Sequence, residues 1–194
     1  GASTHYHEAD FDLSDEDADW LYVSTLSGNM PILHKLFHQA KRRDMKICFN
    51  PGKKELAQKD KLLGLLSDVD VLTLNKEMQQ LVSGDDLETL VRRGLNLVPV
   101  ILVTDGVNGS MASDGKTIVR ALMYDDSPSI DRTGAGDAFA SGFLSEWARS
   151  GNLKNSVIMG SANASSVVMK IGAKAGILYS GTPLHTMPIQ EREL

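Results

Sequence analysis

Nine residues, DRTGAGDAF at 131–139, place two glycines and two aspartates in a turn that runs straight into an apolar, helix-patterned segment. Gly134 and Gly136 flank Ala135, so three successive backbone N–H groups can face one small concavity with little side-chain obstruction, which is the chemistry of an anion site. A helix starting here adds roughly half a positive charge from its macrodipole. That favours a phosphoryl oxygen, or the charge that develops on it during transfer. Asp137 falls in the first turn, where its carboxylate could take the proton of a hydroxyl nucleophile aimed at the same phosphorus. A purely local reading uses the same residues: Asp131 or Thr133 as a helix cap, the glycines as a tight turn, Asp137 as a dipole-matched carboxylate.

Other constellations are weaker. No GxxxxGK[ST] and no GxGxxG occurs, which sets aside both common nucleotide fingerprints. No GxSxG anchors a hydrolase triad. His34 and His38 stand four apart on a predicted helix, and His5 and His7 two apart on an extended segment, but neither pair has a third ligand, so both read as surface histidines. The lone cysteine, Cys48, lies in the apolar run MKICFN and reads as an inert core thiol.

Positioning the Asp131 turn requires a frame, and hydrophobic periodicity supplies one. DWLYVSTL at 19–26 reads as a strand, and MPILHKLFHQAKRRD at 30–44 as a helix with Ile32, Leu33, Leu36, Phe37 and Ala40 at helical spacing. The alternation continues with a strand at 45–50, a helix at 53–66, a strand at 69–75, helices at 76–84 and 85–94, and a strand at 98–106. Such alternation implies a mostly parallel sheet covered by helices. A hairpin around Asp114 and Gly115 follows. Two closing helices end the pattern: 136–151, with Phe139, Phe143 and Trp147 on one face, and 152–172. The stretch 1–18 is an acidic lead-in, read as solvated, irregular or briefly helical. No repeat or long linker interrupts the order, so a single α/β domain is expected, with ligands at the carboxyl ends of its strands.

Composition agrees with a small-molecule partner. The 194 residues carry a net charge of −5 and 42% hydrophobic residues, enough to bury roughly 70% of the unfolded surface. Interspersed charges give no broad basic footprint for nucleic acid and no polybasic membrane anchor. No apolar run approaches the ~18 residues of a membrane span, no signal peptide is visible, and one cysteine allows no internal disulfide, so a reducing, cytoplasmic setting is expected.

DRTGAGDAF resembles the C-terminal signature of the PfkB (ribokinase-like) family of carbohydrate and nucleoside kinases. In the same order, FNPGKKEL resembles the family's NP segment, DVLTLNKE its strand leading to an Asn, VTDGVNGSMA its T-x-G-x-x-G loop, and ANASSVVMKIGAKAG its penultimate helix and GA turn. The resemblance runs from about residue 19 to 179. It implies a ribokinase-like three-layer αβα fold and ATP-dependent phosphotransfer to a hydroxyl of a sugar or nucleoside. Asp137 is then the base, and the amides of Gly134, Ala135 and Gly136 the anion hole. Thr104, Gly106 and Gly109 line the ATP side, with Asn75 at the nucleotide end of its strand. Asn163 is either an adenine-side residue or one of the small residues that let helices pack closely. Asp131 either supports a monovalent cation such as K+ or is a plain loop residue.

The resemblance also breaks. The family's N-x-x-E, whose Glu organises the water shell of ATP-bound Mg2+, has Met78 at the Glu position. Glu77 comes one residue early, rotated by about 100° on a helix. Arg132 stands where the family usually has Thr. The N-terminal Gly-Gly signature, the strands around it and the β lid over the sugar have no counterpart, and most acceptor contacts belong to them. Two functions are therefore expected as alternatives: the catalytic, ATP-binding part of a carbohydrate kinase, weakly active or inactive by itself, or a catalytically silent nucleotide-binding or interaction module. A sheet without its N-terminal strands would expose an apolar edge, predicting self-association or a covering partner such as the N-terminal half.

Overall fold

A computed structural model describes residues 6–124 and 129–194. The chain divides into two compact units, one ending at Ile101 and the other running from Leu102 to Leu194.

In the first unit, β1 (Trp20–Val23), β2 (Lys46–Phe49) and β3 (Val71–Asn75) pair in parallel in chain order, Trp20 opposite Lys46 and Cys48 opposite Val71. Helix α1 (Met30–Arg42) starts where the Asn29 side chain accepts the Ile32 N–H, carries Pro31 in its first turn, and ends on Lys41 and Arg42. Ile32, Leu33, Leu36, Phe37 and Ala40 are all buried, as their spacing predicts. Phe37 meets Phe49 of β2 edge-to-face at 5.3 Å. Each such fully buried large side chain contributes about 1.5–3 kcal/mol.

The helix expected over 53–66 is two helices, α2 (Lys53–Leu56) and α3 (Lys59–Leu66). Gln58 takes a non-helical conformation between them, and its amide donates to the Gly28 and Lys54 carbonyls. The helix expected over 76–84 is only a short 3₁₀ turn, Lys76–Gln80. There the Asn75 Oδ1 accepts the Glu77 N–H at 2.9 Å, the kind of local bond that competes with a regular helix. Helix α4 (Leu87–Gly94) forms as expected, with Asp86 accepting the Thr89 N–H as its cap.

One buried carboxylate holds this unit's loops. Glu55 is fully buried. Its Oε1 accepts the N–H groups of Leu26 (2.9 Å) and Gly28 (2.6 Å), and its Oε2 accepts the Thr25 hydroxyl (2.8 Å) and the Gly52 N–H (3.0 Å). The loop it grips contains Ser27 at φ 58°, a conformation L-residues rarely adopt. The acidic lead-in is also tied down: Asp12 accepts from Ser14 N and from the Gln39 amide, and Arg43 donates to the Glu16 carbonyl.

The second unit continues β4 (Val100–Thr104), within which the division falls, into the hairpin β5 (Ser110–Ser113) and β6 (Thr117–Ala121). Gly115, at φ 81°, and Asp114, whose Oδ1 accepts the Lys116 and Thr117 N–H groups, make the turn. β7 (Ile189–Glu193) adds antiparallel to β6, Ala121 opposite Ile189. Pairing is thus parallel in the first unit and antiparallel over β5, β6 and β7. Helices α5 (Ala135–Ser150) and α6 (Leu153–Val168) pack closely. A Cβ added at Gly160 would lie 2.6 Å from the Phe139 ring, so glycine is required for that approach. α6 stops at Val168 rather than Gly172, and Lys170 N–H turns back to the Val167 carbonyl. Among the described residues, no helix is long and apolar enough to cross a membrane.

Candidate active site

The turn expected to do chemistry is built by glycine at its entry. Gly134 is the residue preceding α5, held at φ 81°, and the helix start has no side-chain cap. Helices α1, α4 and α6 each begin with an Asn or Asp side chain bonded to a first-turn N–H; α5 does not. The first amides of any helix lack an intrahelical acceptor. Here the Ala135 N–H leans on the Arg132 carbonyl at a long 3.3 Å, so that amide of the expected three is engaged. Gly136 is exposed, and a Cβ built on it would meet nothing within 4 Å. Asp137, next along, is exposed in the first turn. The helix start is thus open to solvent at Gly136 and Asp137.

Asp131 does not cap α5. Its Oδ1 accepts the Thr133 N–H (2.9 Å) and its Oδ2 accepts the Gly172 N–H (3.0 Å), 41 residues away. The hydrogen bonds from Thr133, then that from Gly172, hold its carboxyl below the usual carboxylate range. The Ile130 and Asp131 N–H groups both donate to the Val168 carbonyl. The segment following α6 therefore lies against the glycine turn, and a Cβ on Gly134 would come within 2.5 Å of the Ala173 carbonyl oxygen.

Asn163, expected either as an adenine-side residue or among the small residues that let helices pack, points inward from α6. It is 4% exposed, its Nδ2 donates to the Ala138 carbonyl (2.7 Å), and its Oδ1 accepts the Leu178 N–H (2.9 Å). Both ends of the amide are engaged with main chain, and a Cβ on Gly142 would stand 3.0 Å from the Asn163 Cβ.

Thr104, Gly106 and Gly109 form a compact turn at the end of β4. Asp105 N–H donates to the Gly109 carbonyl (2.8 Å) and Gly109 N–H to the Gly106 carbonyl (3.1 Å). Gly109, at φ 87°, passes so close to β6 that a Cβ would overlap the Ala121 carbonyl, whereas Gly106 faces open space. Arg120 of β6 donates to the Asn108 carbonyl. Asn75 belongs to the first unit, at the exposed end of β3. Beside it Glu77 pairs with Lys53 at 2.9 Å. His34, His38 and His7 are exposed, His5 lies outside the described residues, and no group of three His, Cys, Asp or Glu side chains suited to a metal occurs among the described residues. Cys48 is buried, which pushes its thiol up and keeps it unreactive.

Residues 3–178 match the family described as pfkB family carbohydrate kinase. The chain is 27% identical to the ATP-dependent 6-phosphofructokinase of Thermoanaerobacterium thermosaccharolyticum, over 71% of this chain and 45% of that protein. It is 30% identical to the cytidine kinase of Thermococcus kodakarensis, over 71% of this chain and 51% of that protein. The crystal structure of a putative ribokinase II from E. coli in complex with ATP and Mg2+ superposes with a TM-score of 0.73 at 18% identity, covering 91% of this chain and 59% of that one. The fold is ribokinase-like α/β, and the chain spans about half the length of the curated relatives it matches.

Proposed function

The chain belongs to the PfkB family of carbohydrate kinases, and from that premise we propose that it is the ATP-binding, catalytic portion of a kinase that phosphorylates a hydroxyl of a sugar or nucleoside. The observation that carries the reading is the start of α5: a left-handed Gly134, no side-chain cap, open space at Gly136, and an exposed carboxylate at Asp137. In this reading Asp137 takes the proton of the acceptor hydroxyl as its oxygen forms the new bond to the γ-phosphorus. The bond from that phosphorus to the bridging oxygen breaks, and ADP leaves. The Gly134 and Gly136 amides hold the charge on the transferring oxygens; positioning and electrostatics supply most of the rate in such transfers.

Mg2+ would arrive on the nucleotide, neutralising phosphate charge with water completing its shell, as suits an ion that keeps its waters. The described side chains offer it no cage. A monovalent cation such as K+ near Asp131 belongs to the same proposal by family resemblance alone, since the described contacts of that carboxylate are main-chain N–H groups of Thr133 and Gly172. The range of sugars and nucleosides remains the acceptor class. Self-association or a covering partner at β1 is part of the same proposal, supported by the half-exposed Trp20, Leu21 and Tyr22, and a clean monomer by light scattering at micromolar concentration contradicts the self-association.

A second reading, a nucleotide-binding module without catalysis, is favoured by Met78 at the position where the family carries Glu. Calorimetric titration with ATP, with and without Mg2+, followed by a phosphotransfer assay against sugars and nucleosides, separates the two. Binding with turnover supports the kinase; saturable binding without turnover in the presence of the whole acceptor site supports the silent module.

A further inference from the structure

We propose that Asn163 is a positioning residue that braces the first turn of α5 against the segment 172–178, and so sets where the Gly134 and Gly136 amides and the Asp137 carboxylate stand. The consequence for nucleotide rests on the reading of that turn as the phosphoryl site; the brace itself does not.

The geometry is that of a strut with two defined ends. From inside α6, Nδ2 of Asn163 donates to the carbonyl of Ala138, the residue after Asp137, and Oδ1 accepts the N–H of Leu178 at the far end of the segment. Donor meets acceptor at both ends, so a flipped amide would set oxygen against oxygen and N–H against N–H, and one orientation is enforced. A buried amide is costly to desolvate unless it is fully bonded, and a plain packing position in this stripe of small residues would be met by Ala or Ser without that cost. Because both partners are main chain, the side chain fixes backbone position directly. Gly142 has no side chain where Asn163 approaches.

The segment at the other end is itself seated on the site. Gly172 N–H is clipped by Asp131, and the Ala173 carbonyl oxygen stands 2.5 Å from where a Gly134 Cβ would be. Gly176, at φ 94°, runs so close to α6 that a Cβ would collide with the Ser166 carbonyl. A shift of this segment would carry the Gly134 turn with it, and Asn163 ties that segment to the helix bearing Asp137.

The test uses the 194-residue chain with Asn163→Ala and Asn163→Leu, the second keeping side-chain bulk while removing both bonds. With folding checked by circular dichroism, ATP and ADP titrations are compared. The brace predicts that ATP affinity falls about tenfold while ADP affinity changes by less than about twofold, because only ATP carries the γ-phosphoryl group that the turn is proposed to hold. Equal weakening of both nucleotides, or unchanged ATP binding, overturns it. If the unsubstituted chain binds no ATP, the nucleotide reading has failed separately, and amide hydrogen exchange decides the brace. Faster exchange at Leu178 and at residues 134–138 in the variants supports it; unchanged exchange there overturns it. Should neither variant fold, the unsubstituted chain still decides: a protected Leu178 amide supports the brace, and one exchanging at the rate of the neighbouring exposed amides overturns it.

Discussion

Two turns of the molecule differ in what their backbone N–H groups face, one closed on an internal carboxylate and one open to solvent. In the first unit, the amides of Leu26, Gly28 and Gly52 and the Thr25 hydroxyl close on the chain's own Glu55 carboxylate, fully buried. In the second, the glycine turn before α5 carries no side-chain cap, Gly136 faces open space, and the neighbouring carboxylate of Asp137 is exposed. The same donor chemistry becomes structure when the anion is internal, and in the proposed reading it serves binding when the anion comes from outside. Exposure decides between the two.

Substitutions can break each side of that contrast. The largest effect is expected at Asp137→Asn: phosphotransfer by the active kinase falls by about 10²–10⁴-fold while ATP still binds, as for loss of a general base. Turnover within a few-fold of the unsubstituted enzyme removes Asp137 from the role. Next comes Glu55→Ala, which leaves four donors without their acceptor and should destabilise the first unit by about 3–5 kcal/mol in urea unfolding, with nucleotide binding by the folded fraction unchanged. A change below 1 kcal/mol would mean that water replaces the carboxylate at little cost.

Two glycines sharpen the comparison within the second turn. Gly134→Ala forces a left-handed conformation and a collision with the Ala173 carbonyl, so a loss of about 1–2 kcal/mol or more is expected. Gly136→Ala has room for its methyl and should leave stability within about 0.5 kcal/mol while weakening ATP binding. Thermal melts and titrations of the pair test this; equal destabilisation by both would contradict the geometry. The smallest effect concerns pH. Asp131 has its folded-state pKa lowered by Thr133 and Gly172, so its contribution is present above the ordinary carboxylate pKa of about 3.9 and is lost as pH falls through the lower folded value. Asp131→Asn should therefore flatten the acid limb of the stability curve, and an unchanged limb would contradict the clip.

The elements whose stability comes from their own apolar pattern were legible in the sequence. Ile32, Leu33, Leu36, Phe37 and Ala40 announce α1 because the face they make is the face that is buried. DRTGAGDAF announces the start of α5, since glycine at a left-handed entry is a local requirement. Elements made by distant partners were not. β7, IQERE, has one apolar residue and exists because β6 offers it a ladder. Glu55 looks like any solvent-facing residue of a short helix until Leu26 and Gly28, nearly 30 positions earlier, fold onto it. Asn163 shows the same limit: its partners lie 25 residues before it and 15 after it, and only the fold reveals that both ends of its amide are taken.

The most direct test of the central claim is an ATP titration followed by backbone amide NMR, reading both turns in one experiment. The account predicts that the Gly134 and Gly136 amides shift saturably with ATP while those of Leu26, Gly28 and Gly52, already bonded to Glu55, stay in place. Saturating ATP that leaves Gly134 and Gly136 unmoved would contradict the assignment of the α5 turn as the phosphoryl site.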